Sequence, residues 1–315
     1  MDIDVFPAHE LPSALRALRT ALKVSGALDE RERVFLATYA RLSGVELRIE
    51  PQPIAPHEVR IDAAHARKRL IQLAALAVLL SRPVRAESFA YLKALAAQLA
   101  THDPVIDVIG ALIRGQRRKV RVLAMRRGMR VMFKEAWLAE GAWGIVRLFS
   151  AMAFRAAVNK DQLWNYRRLG LLPEGTLGRE YWKHMTEVGF GFPGDVAGIA
   201  SSVAYHDIAH VLADHDTTPL GEIQQGSFQG GNRREDGFFF VQFVVLHFHQ
   251  GVRITPGTPP AVDQFDPERV LWAIHRGARC TVDMTHQWNY WPLMSLPLRE
   301  VRERIGLLPR RPAAA

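Results

Sequence analysis

Apolar residues recur at every third or fourth position through the first third of the chain, and prolines separate the runs. This spacing predicts amphipathic helices over residues 11–24, 29–42, 57–80 and 85–100. Alanine, leucine and arginine are abundant there and favour helix, and no alternating strand pattern competes with the helical one. We therefore expect an all-α fold.

Three start signals predict helices in the second half. Asp195 follows a Gly-Phe-Pro-Gly turn and is expected to cap the next helix. Thr218 and Asp266 each precede a proline, and this pair is typical of the N-cap and first position of a helix. The helix after Thr218 would then hold Glu222 in its first turn.

Residues 238–246 are dense in phenylalanine and valine, which by propensity suggests a buried strand. No partner strand is visible elsewhere in the chain, and a lone strand has no ladder to join, so we predict a buried helix. His247 and His249 follow it two positions apart. On a helix they would point about 200° apart, so we interpret them as core histidines rather than a ligand pair.

Composition narrows the class of protein. The chain has 315 residues, of which 48% are hydrophobic, enough for one large or two ordinary globular domains. Cys280 is the only cysteine, which excludes an intrachain disulfide and a thiolate metal cluster. Residues 1–5 are acidic, unlike a signal peptide, and the most apolar long window, 136–157, carries three charges and is predicted as a core helix. We expect a cytoplasmic protein.

The net charge of +9 is concentrated in one segment. Between positions 113 and 134 there are nine basic residues and no acidic one, with apolar residues interleaved. A basic amphipathic helix of this kind can lie on an anionic membrane surface, which would make the protein peripheral on the inner membrane. The alternative is a solvated face of a connecting helix. No nucleic-acid-binding signature accompanies the charge, so no specific nucleic acid partner is expected.

A candidate metal site lies in the motif His206-Asp207-Ile208-Ala209-His210, followed twelve residues after His210 by Glu222. Histidines at i and i+4 lie about 40° apart around a helix, so both imidazoles can reach one point above the same face. Two imidazoles and a carboxylate suit a borderline divalent cation with open coordination positions. The alternative is a surface or hydrogen-bonded histidine pair without a metal.

Four ordered blocks resemble the coenzyme Q (ubiquinone) biosynthesis protein 4 family. They are residues 172–181, the histidine motif with its following glutamate, the turn 219–222, and the segment 297–306. The resemblance covers roughly residues 135–309. It implies an all-helical domain whose metal ligands are His206, Asp207, His210 and Glu222, with zinc expected first and iron, manganese or cobalt as alternatives.

The resemblance also implies a function and partners. The family is implicated in replacing the carboxylate of a polyprenylated hydroxybenzoate by hydroxyl and in organising a biosynthetic complex. The implied partners are a prenylated aromatic or quinone-like lipid, an anionic membrane surface and that complex, and a homo-oligomer is left open. The family's charged run before the motif is replaced here by the uncharged residues 200–205. Arg233 and Arg234 are candidates for the missing cation, against the alternative that they face solvent.

These observations divide the chain into a helical N-terminal module (1–112), the basic connecting helix (113–134), a larger helical metal-binding domain (135–309) and a disordered tail (310–315). The N-terminal module resembles the tellurite-resistance B-like helical domain weakly, with no motif that carries a function across.

Three functions remain open at the level of sequence. The first is a decarboxylase (lyase) or oxidative decarboxylase, with Asp207 and Glu222 as catalytic residues. Zinc cannot supply electrons, so activation of oxygen would require an iron-type centre with two histidines and one carboxylate. The second is a non-catalytic scaffold that binds prenyl lipid among aromatic side chains, against which stands ordinary core packing of the same residues. The third is a metal hydrolase in which Asp207 replaces the general-base glutamate of zinc peptidases.

Overall fold

The computed structural model describes residues 1–126, 128, 130, 133, 159–195, 198, 201–255 and 258–310. Within these residues the protein is all-α, and the extended pairs are isolated bridges rather than strands. The helices are α1 Leu11–Leu22, α2 Glu30–Leu42, α3 Ala64–Leu80, α4 Ala86–Gln98, α5 Val105–Ile113, α6 (117–126), α7 Lys160–Arg168, α8 Leu177–Val188, α9 Tyr205–Ala213, α10 Pro219–Asn232, α11 Phe238–Phe248, α12 Pro267–Arg279 and α13 Leu298–Arg304.

Two of the three predicted caps are confirmed. The side chain of Thr218 accepts a hydrogen bond from the backbone N–H of Gly221, and that of Asp266 accepts one from the N–H of Arg269. The prediction for Asp195 is wrong. α9 begins at Tyr205, and its N-cap position is Ala204, which offers no side-chain acceptor.

The predicted helix over residues 57–80 begins later than expected. Pro56–Glu58 forms a short 3-10 turn, and α3 starts only at Ala64. In the extended segment between them, Val59 and Ile61 are buried. The backbone N–H of Asp62 donates to Glu10 Oε1 at 2.7 Å. Burial of alternate side chains and this tertiary hydrogen bond replace the helical turn that periodicity predicted.

One hydrophobic core joins the N-terminal helices to α10, α11 and α12. Its members include Leu70 and Leu76 of α3 together with Val245, Leu271 and Ile274 from the second half. α11 is a helix, as predicted for residues 238–246. The apolar core therefore extends across the boundary that we predicted at residue 112.

Hydrogen bonds also join the N-terminal helices to the second half of the chain. His249 Nε2 donates to the carbonyl of Leu80 at 3.0 Å, and its Nδ1 accepts the N–H of Phe265. His247 Nδ1 likewise accepts the N–H of Ile254. Both rings are thus core histidines that satisfy backbone groups, in agreement with the sequence-based interpretation.

A second hydrophobic core supports the histidine motif. It is formed by α7, α8, α9 and α13, with Tyr181, Ile208 and Leu212 among its fully buried members. Phe228 of α10 and Ala273 of α12 also belong to it. α10 therefore has one side in each core, which places its first turn beside α9.

Glycines allow α10 and α12 to pack closely. A Cβ on Gly231 would lie 2.0 Å from the carbonyl oxygen of Ile274, and one on Gly277 would lie 2.0 Å from that of Phe228. Both distances are far inside van der Waals contact, so any side chain at these positions would force the two helices apart.

The basic segment is described only in part. α6 has Val120 and Ala124 buried in the first core, while its basic residues up to Arg126 are exposed. Val120 and Ala124 are thus covered by protein, whereas Val122 is 64% exposed. No helix in the described ranges is both long enough and apolar enough to cross a membrane.

Two predictions fall on residues that the structure does not describe: the core helix over 136–157 and the tail residues 311–315. The first residue of the predicted tail, Arg310, forms an ion pair with Asp214 at 2.7 Å.

Candidate metal centre

The two histidines of the motif meet one turn apart on α9. Their rings are nearly perpendicular, with centroids 4.9 Å apart. The Nε2 atoms of His206 and His210 lie 3.3 Å from each other. Two nitrogen donors about 2.05 Å from a tetrahedrally coordinated cation would be separated by about 3.3 Å. The spacing of the pair therefore fits a metal of the zinc class.

Glu222 places a carboxylate beside the histidine pair from the first turn of α10. Its Oε1 is 3.6 Å from His210 Nε2, and its Oε2 is 3.7 Å from His206 Nε2. The position of this turn is fixed by Asp216, whose Oδ1 accepts the N–H of Thr218 at 2.9 Å. A ligand atom from each of His206, His210 and Glu222 lies within 4.8 Å of the others.

The far side of each imidazole is held by an oxygen acceptor. His206 Nδ1 donates to Gln229 Oε1 at 3.1 Å, and His210 Nδ1 donates to the carbonyl of His215 at 3.1 Å. In the neutral rings this places the lone pairs on the two Nε2 atoms, which face each other. Acceptors at this separation repel unless a proton or a cation lies between them. This is the outer-shell arrangement typical of metal-binding histidines.

A chain of hydrogen bonds extends from this shell into the core. Arg276, which is 3% exposed, donates through Nη1 to His215 Nε2 at 3.4 Å and to the carbonyl of Ala213 at 2.9 Å. Because an arginine can only donate, His215 Nδ1 carries the proton and donates to Gln225 Oε1 at 3.0 Å. Gln225 Nε2 then donates to the carbonyl of His206 at 3.3 Å. The chain fixes the start of α9 against α10.

The surroundings of His206 and His210 shift their pKa values in opposite directions. Burial would lower the pKa of His206, but the Glu222 carboxylate, whose Oε2 lies 3.7 Å from His206 Nε2, and the charge of Asp207 outweigh it and raise that pKa to about 9. Burial and the neighbouring His206 hold the pKa of His210 well below its usual value. Burial also lowers the pKa of His215 to about 4. In the metal-free protein a single proton is therefore shared within the centre, on the His206 side.

Asp207 lies beside the three-residue group rather than in it. Its side chain is 5% exposed, and burial raises its pKa to about 6. Asp207 Oδ2 has no hydrogen-bond partner among the described residues. Its role as a direct ligand, expected from the family resemblance, remains a prediction; the geometry groups His206, His210 and Glu222.

Further buried polar atoms without a partner in the described part of the chain lie around the centre: Tyr181 Oη, His184 Nε2 and Gln229 Nε2. The ring of His184 stacks on that of His210, with centroids 5.7 Å apart. Burial raises the pKa of Tyr181, and the charge of the nearby Asp207 carboxylate raises it further. Buried polar groups are normally paired, so this concentration is typical of a ligand-binding wall.

Exposure to solvent differs among the three side chains of the centre. The side chain of His210 is 1% exposed, whereas those of Glu222 and His206 are 18% and 35% exposed. A ligand from solvent would therefore reach the centre past His206.

The two arginines considered for substrate binding are used elsewhere. Arg233 is buried and donates to both the carbonyl and the hydroxyl of Thr285. Arg234 donates to the carbonyls of Ala278 and Cys280. Both guanidinium groups contact the end of α12 or the segment after it, so the prediction that they supply a cation to the centre finds no support in these contacts.

The sequence did not reveal the residues that form hydrogen bonds around the two histidines. Gln225, Gln229, His215 and Arg276 do not form a motif, because their roles depend on how α10 and α12 pack against α9. The spacing Gln225 to Gln229 was the available signal, since i and i+4 on α10 place both amides on the face that carries Glu222. Comparison with models of known protein families and with curated proteins finds no match.

Proposed function

We propose that the protein is a metal-dependent enzyme of ubiquinone-type biosynthesis that replaces the carboxylate of a prenylated hydroxybenzoate, or a related aromatic acid, by hydroxyl. The observation that carries the metal assignment is the pair of facing Nε2 atoms of His206 and His210, 3.3 Å apart, with Glu222 beside them. The substrate class rests on the resemblance of residues 172–181, 206–222 and 297–306 to the coenzyme Q biosynthesis protein 4 family.

The donor set suits the proposed reaction. A divalent cation bound there would polarise a phenolate or carboxylate oxygen and stabilise the negative charge that develops as carbon dioxide leaves. The full conversion takes up dioxygen, two electrons and two protons and releases carbon dioxide and water. The two electrons require a separate reductant whichever cation is bound. Because zinc has no redox chemistry of its own, activation of dioxygen would require an iron-type cation at the same residues.

The chain's own residues would orient the ring. His206, His210 and Glu222 hold the cation, and Arg276, through His215 and Gln225, keeps α9 and α10 in register. Tyr181 Oη and Asp207 Oδ2, without partners among the described residues, can bond to the hydroxyl and carboxyl groups of a hydroxybenzoate. Hydrogen bonds between these two atoms and an aromatic acid would favour its binding over that of a purely apolar ring.

Oxygen labelling tests the reaction. Metal-reconstituted protein is incubated with a polyprenyl hydroxybenzoate and a chemical reductant under labelled dioxygen, and the products are analysed by mass spectrometry. Decarboxylated product with one labelled hydroxyl supports the proposal, and it should disappear in Glu222→Gln. Glu187→Gln on α8 is the matched control, because Glu187 is exposed and lies outside the ligand group. A fully metallated protein that leaves the substrate unchanged contradicts the proposal.

The same experiment separates the two alternatives. Stoichiometric binding of unchanged prenyl lipid would indicate a scaffold. That function receives little support from Phe238 and Phe248, which are buried members of the first core, whereas Phe239, Phe240 and Phe243 are partly exposed. Cleavage of a generic ester or peptide that is abolished by Asp207→Asn would indicate a hydrolase.

Membrane attachment is a separate part of the proposal. The exposed cations on α6 include Arg117, Arg118 and Arg121, and Val120 and Ala124 of the same helix are buried in the core. Contact with an anionic membrane would therefore be electrostatic rather than by insertion. Each cation near such a surface contributes about 1 kcal/mol, so replacing all three by glutamine should weaken vesicle binding about 100-fold. Binding that is insensitive to the three replacements and to salt would contradict this part.

A further inference from the structure

We propose that His9, Glu10 and Asp62 form a second divalent-cation site in the N-terminal helices, independent of the centre on α9 and α10. One ligand atom from each of the three side chains lies within 4.8 Å of the other two. His9 and Glu10 belong to the turn that leads into α1, and Asp62 lies in the extended segment before α3. The cluster thus joins two parts of the chain that are distant in sequence.

Glu10 provides the independent sign of a ligand. It is 5% exposed, and its Oε1 accepts the backbone N–H of Asp62 at 2.7 Å. Its Oε2 has no hydrogen-bond partner among the described residues. A buried carboxylate oxygen that is left unpaired is costly, and a cation in front of it removes that cost.

Space for a cation lies beside the three side chains. His9, Glu10 and Asp62 line a surface cavity of about 340 Å³. Because His9 and Asp62 are exposed, water can complete the coordination of a cation that they share with Glu10. The combination of a buried carboxylate and two exposed ligands is suited to binding an ion from solution without a large rearrangement.

The two arginines of the cavity do not occupy the place of the cation. Arg16 donates to the carbonyls of Gln52 and Pro53, and Arg60 donates to those of His57 and Val59. Both guanidinium groups thus hold the loop before α3. The carboxylates that face the cavity are left to attract a mobile ion.

The donor set indicates the class of cation. One imidazole and two carboxylates suit Zn²⁺ and Mn²⁺ better than Ca²⁺, which prefers oxygen ligands alone. Bound there, the ion would cross-link the start of α1 to the segment before α3. Since the unfolded chain has no such preformed site, binding would stabilise the folded N-terminal helices.

The test uses the full chain with the first centre removed. In the double variant His206→Ala/His210→Ala, equilibrium dialysis against ZnCl₂ followed by metal analysis should still find one equivalent of Zn²⁺. Adding Glu10→Gln or His9→Ala should weaken that binding more than about tenfold. Glu10→Gln keeps an oxygen that can accept the N–H of Asp62, and His9 is exposed, so the fold should survive both changes.

Glu58→Gln in the same background is the matched control. Glu58 lines the same cavity, but its Oε2 accepts the N–H of Ala55, and it lies outside the ligand group. This variant should bind Zn²⁺ as the double variant does. A hundredfold excess of Zn²⁺ over Kd should also raise the melting temperature of the double variant by about 4 °C, and Glu10→Gln should remove the rise.

Three results would overturn the proposal: no Zn²⁺ bound by the folded double variant, unchanged binding in both Glu10→Gln and His9→Ala, or equal loss in Glu58→Gln. None of these depends on catalysis at the first centre, so the second site stands or falls independently of the proposed enzymatic function.

Discussion

Replacing Gln229 by methionine should lower the affinity of the first centre for Zn²⁺ about tenfold while leaving the fold intact. Gln229 Oε1 accepts the Nδ1–H of His206 at 3.1 Å, and this hydrogen bond aims the Nε2 lone pair of His206 at Glu222 and His210. Methionine has nearly the same volume as glutamine but cannot accept that hydrogen bond, so the ring loses its orientation rather than its place.

The expected loss of Zn²⁺ affinity follows from how far His206 is buried. Losing an outer-shell partner typically reduces metal affinity about 10- to 100-fold. The lower end applies here because the side chain of His206 is 35% exposed, and water can replace the lost acceptor. Stability should change by less than about 1 kcal/mol, because methionine also removes Gln229 Nε2, a buried donor without a partner among the described residues.

The affinity is measured by competition with a chromophoric chelator, and stability by urea denaturation of the metal-free protein. Gln224→Met is the matched control, since it makes the same replacement on α10 at a position outside the histidine contacts. If Gln229→Met keeps the wild-type Kd, or Gln224→Met weakens binding equally, the outer-shell argument is wrong.

Three further predictions concern the centre and its support. Zn²⁺ binding at about pH 7.5 should release close to one proton, because the pKa of His206 is raised to about 9 and this proton must leave before the metal binds. The apparent affinity for Zn²⁺ should therefore rise with pH up to about pH 9. Calorimetry in buffers of different ionisation enthalpy measures the release, and no released proton would refute it. Asp207→Asn should change the Kd for Zn²⁺ by less than about threefold, whereas Glu222→Gln should raise it more than about tenfold. A larger effect of Asp207→Asn than of Glu222→Gln would instead make Asp207 the ligand. Gly277→Ala should cost about 3 kcal/mol in urea denaturation, because its Cβ would lie 2.0 Å from the carbonyl of Phe228; Gly44→Ala, where nothing lies within 4 Å, should cost about 1 kcal/mol.

Local signals explain which predictions succeeded. The start of α10 was readable because Thr218 accepts the N–H of Gly221, while Pro219 has no N–H to satisfy and fixes the backbone at the first helical position. The failure at Asp195 has the same origin, since a good capping residue is a local feature and does not guarantee that a helix follows. α9 starts at Tyr205 instead, behind a 3-10 turn over Ser201–Val203.

Long-range contacts explain which predictions failed. Periodicity alone could not exclude a helix at residue 57, because the competing structure depends on Glu10, far away in sequence, accepting the N–H of Asp62. The contacts of Arg233 and Arg234 likewise depend on tertiary structure. Both side chains donate to the end of α12 or to the segment after it, whose proximity depends on the close packing of Gly231 and Gly277 between α10 and α12.

The amino-acid sequence by itself determined the helical class and the placing of His206 and His210 on one helical face, because both follow from interactions within a few residues. It also placed Glu222 in a first turn. Only the tertiary structure decided that the three side chains meet, that Gln229 holds the far side of one imidazole, and that His9, Glu10 and Asp62 converge. These outcomes depend on how helices pack against each other, which is set by side-chain volumes and close approaches over the whole chain.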